Sequence, residues 1–262
     1  MDKHRIHLIL EYDGTAYSGW QRQANAPTVQ EEVEKAVFSL TGEQVCVHGA
    51  SRTDAGVHAL GQSAHFDTVS RIPGEKFAWA LNTRLPDDIR VRLSENVPDS
   101  FHARFSGKGK QYRYLMQDSP HEGALNRLYV AHSLYKLDDA AMAREAKALL
   151  GTHDFAAFAA SGSVVRDTVR RITRADVTRS GSLITLFVEG NGFLYNMVRI
   201  IAGTLMLVGA GKLPGGTIAR SLTTLDRLDL GVTAPAKGLT LMEVYYDELP
   251  DRNECNEDTH KG

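Results

Sequence analysis

The chain has few of the residues that mark metal clusters or disulfide scaffolds. Only two cysteines, Cys46 and Cys255, occur in 262 residues. They lie far apart and form no C-x-x-C pair, so neither a zinc site nor a disulfide framework is expected, and reduced thiols in a cytoplasmic setting are. No apolar run is long enough to span a bilayer, since Ile200 to Ala210 falls short. Charged residues follow Met1 at once, without an apolar h-region or cleavage site, so no signal peptide is expected. The formal net charge is only -2, and any contact with nucleic acid must therefore come from local patches. Nucleotide-loop signatures are also missing. Gly190-Asn191-Gly192 has no third glycine, and Gly209-Ala210-Gly211-Lys212-Leu213 lacks the hydroxyl residue and spacing of a P-loop. The nucleophile elbow G-x-S-x-G does not occur.

What is present is ordinary for a globular protein, with 42% hydrophobic and 24% charged residues. The length suits one large or two smaller domains. Ile6 to Glu11 reads as a strand ending in the turn Tyr12-Asp13-Gly14-Thr15. Thr28 to Glu31 has a capping-box pattern, and Val29, Val33, Ala36, Val37 and Leu40 then line one helix face. Val45 to Val47 reads as a second strand core, paired with Gln62 to Phe66. Pro73 opens a helix carrying Phe77, Ala78, Trp79 and Leu81. Ile89, Val91 and Leu93 alternate with arginines as in a half-buried strand. In the second half, Tyr112 to Met116 reads as a strand and Asp138 to Leu150 as a helix stopped by Gly151. Val169 to Val177 and Leu183 to Val188 form a hairpin. Phe193 to Val208 reads as an apolar helix and Leu239 to Tyr246 as a last strand. Strands and helices mixed with hairpin-length connections imply an antiparallel α+β fold in two halves, 1–105 and 106–248, with an acidic, disordered tail at 249–262.

Four segments could carry chemistry. His48-Gly-Ala-Ser-Arg52-Thr-Asp54-Ala-Gly-Val-His58-Ala59 packs small residues around an Arg and an Asp. Asp54 there is either a turn former or a catalytic carboxylate, and with His48 and His58 it could belong to a metal site. Phe101 to Tyr114 interleaves aromatics with Arg104, Lys108, Lys110 and Arg113, a pattern suited to phosphate attraction and base stacking. On a strand, Tyr112 and Tyr114 would share a face. Arg166, Arg170, Arg171, Arg174 and Arg179 form a positive stripe that is either an RNA footprint or a solvated hairpin face. Finally, Gly190 to Ile201 sets Arg199 among apolar neighbours, where a guanidinium needs a carboxylate partner.

Taken together, the blocks EYDGTAYSGWQRQ, TVQEEVEKA, GASRTDAGVHALGQ, LNTRLPDDIRV, FHARFSGKGKQYRY and GNGFLYNMVRIIAGTL resemble those of the tRNA pseudouridine synthase A family along nearly the whole chain. The resemblance implies an isomerase of uridines at tRNA positions conventionally numbered 38 to 40, acting without metal or cofactor. It also implies a homodimer of the pseudouridine synthase fold, with the sheets of the two halves joined around an RNA-binding cleft. By position, Asp54 matches the catalytic aspartate and Arg199 the arginine that pairs with it. Arg52 matches the arginine that helps evert the nucleotide, and Tyr112 the tyrosine that packs on the target base. Arg104, Arg170 and Arg171 are further candidates for binding the RNA. The competing readings are a non-catalytic RNA-binding module with RRM-like sheets, which leaves Arg52, Asp54 and Arg199 unexplained, and a metal-dependent hydrolase.

Overall fold

Apolar residues at every second position from Ile6 to Leu10 require one strand face to be buried. In the computed structural model, which describes residues 3–159 and 167–247, that strand is β1 (His4–Tyr12). After it come α1 (Val29–Thr41), β2 (His48–Gly49), β3 (His58–Thr68), α2 (Phe77–Asn82) and β4 (Ile89–Val97). β1 lies between β3 and β4, antiparallel to both, with Ile6 opposite Phe66 and Leu8 opposite Ala64. These four side chains are fully buried, as are Val29, Val33 and Val37 of α1 and Phe77 and Leu81 of α2.

The following stretch builds a run of paired strands from β5 (Gly109–Gln117), β6 (Ala131–His132), β7 (Gly151–Asp154), β8 (Val169–Ser180) and β9 (Leu183–Gly190). Its order is β5-β9-β8-β7, all antiparallel, with β6 parallel to β5. Three helices belong to this part: α3 (Asp139–Ala146), α4 (Met197–Gly209) and α5 (Thr217–Thr224). Tyr114, Met116, Ile184, Leu186 and Val188 form its core with Ile200, Ile201 and Leu205. The last strand, β10 (Leu239–Tyr245), returns to the first unit and runs parallel to β3. Contacts accordingly divide the chain into two compact units, Met1–Gly107 with Ala236–Tyr246, and one built on Lys108–Pro235. The architecture is α+β and predominantly antiparallel, with parallel pairing at β3–β10 and β5–β6.

Several local expectations are corrected. Thr28 sits at the N-cap of α1, but its hydroxyl makes no capping bond and Oγ1 is buried without a partner. Val45 to Val47 is not strand, because the Val47 N–H is taken by the Glu34 carboxylate of α1 at 3.0 Å, so pairing with β3 starts only at His48. Trp79 is 78% exposed rather than core. Leu93 leaves the buried face because the register between β1 and β4 slips at Arg92, where two residues of β4 oppose one of β1. The helix expected to run to Leu150 ends at Ala146, a 3-10 turn follows, and Gly151, with φ of 103°, opens β7. α4 begins at Met197 rather than Phe193, since Asn196 has a φ of 61° that no α-helix accommodates. Arg199 therefore lies in the first helical turn. Arg166 and the acidic tail at 249–262 lie outside the described residues.

Candidate functional site

In the first unit, the segment from Ala50 to Val57 is irregular in backbone yet tied at nearly every residue. Ala50 N–H donates to Ser63 O at 2.8 Å, and Gln62 closes two bonds with the Ser51 backbone at 3.2 and 2.6 Å. Trp20 N–H donates to Thr53 O at 3.1 Å, and Gly56 N–H to Tyr17 O at 3.2 Å. The Thr53 hydroxyl meets that of Tyr12 at 2.8 Å. Asp54 starts a β-turn closed by Val57 N–H at 3.1 Å, with Gly56 at its third position and φ of 76°. Asp54 itself is half-buried, between exposed Arg52 and Ala55.

This clamp explains the glycines of the EYDGTAYSGW block. A Cβ on Gly14 would lie 2.0 Å from Val57 O, and one on Gly19 2.4 Å from Thr53 O. The Tyr17–Trp20 segment is itself held from the far side. Tyr17 donates its hydroxyl to Asp88 at 2.7 Å, and Asp13 N–H donates to Asp88 O at 2.9 Å. Burial and then the Asp88 contact raise the Tyr17 pKa, keeping the hydroxyl a donor. The block stood out in the sequence only as part of the resemblance; its work is to fix the Asp54 loop.

In the second unit, the GNGFLYNMVR block collects the other expected residues. Gly190 allows the Arg171 carbonyl to approach, where a Cβ would lie 2.6 Å away, and Asn191 bonds Arg171 through both its backbone and its side chain. The Arg170 side chain passes within 3.5 Å of where a Gly192 Cβ would stand. Phe193 meets the Tyr112 ring edge-on, with centroids 5.1 Å apart. Tyr112 is only 7% exposed and lies on the packed face of β5 with Tyr114 and Met116. Arg199 is half-buried rather than enclosed by apolar groups. It donates from Nε to Ala234 O at 2.8 Å and from an Nη to Asn196 Oδ1 at 2.8 Å. The Ala234 loop is anchored in turn by the Tyr114 hydroxyl on Pro235 O at 2.8 Å.

The arginine stripe is not one uniform surface. Arg179 is bound to Asp118 and Asp139. Arg174 pairs with Asp176 at 2.5 Å and lies over the Phe187 ring. Arg171 is exposed, while the Arg170 guanidinium donates to Val169 O at 2.5 Å. In the first unit, exposed Arg104 lies over Phe105, whose ring is 76% exposed and backed by His102 at 4.3 Å.

His48, His65 and His102 cluster, with centroids between 4.6 and 5.6 Å apart and His48 stacked on His65, an arrangement that nothing in their spacing along the chain foretells. Burial, followed by the neighbouring His102, lowers the His65 pKa to about 4, so its ring is neutral at ordinary pH and accepts from Ala103 N–H at 3.1 Å. The metal reading of His48, Asp54 and His58 finds no support in this donor set. His48 is committed to that stack, and His58 Nδ1 accepts from Gly14 N–H at 3.0 Å. Among the described residues, no three or more His, Cys, Asp or Glu side chains are arranged so that they could hold a metal ion. Nor do exposed sheet aromatics of the RRM kind occur on β5, whose tyrosines are buried.

A family model described as tRNA pseudouridine synthase matches residues 8–106 and 146–247. A tRNA pseudouridine synthase A of Ruminiclostridium cellulolyticum is 54% identical over 243 residues, 92% of this chain and 99% of the relative. Those of Acetivibrio thermocellus and Brevibacillus brevis are 52% and 46% identical, each over 92% of this chain and 99% of the relative. Among solved structures, a chain from a Cbf5–Nop10–Gar1 complex aligns at a TM-score of 0.36 and 11% identity. That alignment covers 90% of this chain and 48% of the other, a likeness too slight to argue from.

Proposed function

Since the chain belongs to the tRNA pseudouridine synthase family, we propose that it isomerises uridine to pseudouridine at positions 38, 39 and 40 of the tRNA anticodon stem-loop, with Asp54 as catalytic carboxylate. The observation that carries the assignment of Asp54 is the clamp around its loop. A side chain serving only as a turn former has no need of two glycines, a tyrosine hydroxyl and a buried glutamine to hold its backbone. A reacting group does, because its rate depends on position within about 1 Å.

The reaction breaks the bond between sugar C1′ and base N1, turns the base, and joins C1′ to C5. The hydrogen on C5 leaves to solvent, and no net oxidation or hydrolysis occurs. The Asp54 carboxylate either attacks C1′ as a nucleophile or takes a sugar proton, and both routes need it ionised. By its family position, Arg199 supplies the cation that keeps it so. Arg52, exposed two residues before Asp54, is the candidate to fill the space left by the everted base, and Tyr112 to contact that base. Arg104, Arg170 and Arg171 would hold the backbone phosphates. The resemblance also supports homodimeric assembly and a cytoplasmic location; sedimentation tests the first and fractionation the second.

Asp54→Asn keeps the side chain's size and turn-forming ability, so folding and tRNA binding should survive while turnover falls below detection. Tritium release from tRNA labelled at uridine C5, measured beside tRNA binding and thermal melting, checks this. Substantial turnover by folded Asp54→Asn would sink the assignment.

A further inference from the structure

Asparagine is among the best helix N-cap residues, because its amide oxygen can accept the free N–H groups of the first turn. Asn196 occupies the N-cap of α4 and makes no such bond. It also has a φ of 61°, where N-cap residues are ordinarily extended. Only one other non-glycine residue among those described, Leu225, has a positive φ. The amide oxygen lies instead 2.8 Å from an Nη of Arg199, three residues along. Asn196 therefore combines a left-handed backbone with an unused capping bond, and its amide oxygen is placed on the guanidinium.

The rest of the setting fixes Arg199 from other sides. Its Nε donates to Ala234 O, and its own carbonyl accepts from Ala234 N–H at 3.0 Å. Gly203 lets that loop lie flat on α4, since a Cβ there would stand 1.9 Å from Val232 O. Backbone thus holds the Nε side, and the side chain of a residue with a left-handed backbone holds an Nη. Local strain of this kind persists where the surroundings impose it and concentrates at working sites.

We propose that Asn196 is a positioning residue for catalysis: its amide oxygen fixes the rotation of the Arg199 guanidinium. This rests on the reading that Arg199 serves Asp54. The test compares Asn196→Gly with Asn196→Asp by tritium release. Glycine adopts the left-handed backbone freely but has no acceptor. It should leave the melting temperature and the KM for tRNA unchanged while lowering kcat about 10- to 100-fold. Aspartate keeps an acceptor at the same reach and should restore most of kcat. On an Arg199→Leu background, Asn196→Gly should cost nothing further. Wild-type kcat in Asn196→Gly overturns the proposal, as does failure of Asn196→Asp to restore it or a loss that is fully additive with Arg199→Leu. Full turnover by Arg199→Leu alone would instead overturn the reading beneath it.

Discussion

Replacing Gly19 by alanine tests whether the Tyr17–Trp20 segment places the catalytic loop. Two costs follow from the structure. The φ of 95° at Gly19 is one that L residues avoid, at about 1–2 kcal/mol. The added Cβ would stand 2.4 Å from Thr53 O, 3.1 Å from Asp54 C and 3.3 Å from Ala55 N. All three are backbone atoms, so no rotamer change relieves the overlap. The loop must retreat by roughly 1 Å, which stretches the Trp20 to Thr53 hydrogen bond and carries Asp54 with it. A displacement of that order costs about 100-fold in rate. Gly42 supplies the control: its φ is 76°, and nothing lies within 4 Å of a Cβ there. Gly42→Ala should therefore lose a similar 1–2 kcal/mol, about the cost of the backbone alone, and keep full turnover. Gly19→Ala should lose that and about 1 kcal/mol more for the weakened hydrogen bond, with turnover down about 100-fold and tRNA affinity little changed. Chemical denaturation and single-turnover tritium release measure both quantities. Equal turnover in the two variants would refute the argument, since the clamp would then not be what positions Asp54.

Tyr112→Ala should reduce turnover far more than tRNA affinity, whereas near-normal turnover in Tyr112→Phe would exclude a required hydroxyl role. In tRNA binding titrated with salt, Arg171→Ala should flatten the log-log slope by about one unit, and Arg174→Ala should leave it alone because Asp176 already holds that guanidinium. An unchanged slope for Arg171→Ala would remove that face from the RNA footprint. Burial pushes the Asp118 pKa up, but Arg179, the Leu137 N–H and Lys136 outweigh it and hold the carboxyl down at about 2. A depressed carboxylate pKa contributes stability above the unfolded value near 4, which is lost as pH falls toward 2. The melting temperature should drop across that window, and Arg179→Leu, which takes one of the two cations from the buried carboxylate, should flatten the drop. A parallel pH profile in that variant would contradict the assignment.

Much of this protein was legible in its sequence, for a local reason. Apolar alternation in β1 and β5 and the 3.6-residue period of α1 are properties of neighbouring residues, so period alone separated strand from helix. The dense block around Asp54 and its order among the other blocks likewise carried the family, the α+β class and the reaction. What failed to show were outcomes of competition between residues far apart in the chain. Val45 to Val47 has the composition of a strand, but Glu34, on a helix, takes its backbone donor. Leu93 alternates correctly in the sequence and still turns outward, because a slip against β1 shifts the period by one. The arginine stripe looked uniform until Asp118, Asp139 and Asp176 were seen to hold two of its members. Gly14 and Gly19 look like ordinary turn glycines, and only the fold brings the carbonyls of Val57 and Thr53 against them. Asn196 falls inside the helix read from Phe193, and only the packed structure puts it at the N-cap with its oxygen on Arg199. In each case a hydrogen-bonding or steric site had two possible partners of similar local merit. The choice between them was made by packing, which depends on where the rest of the chain lies.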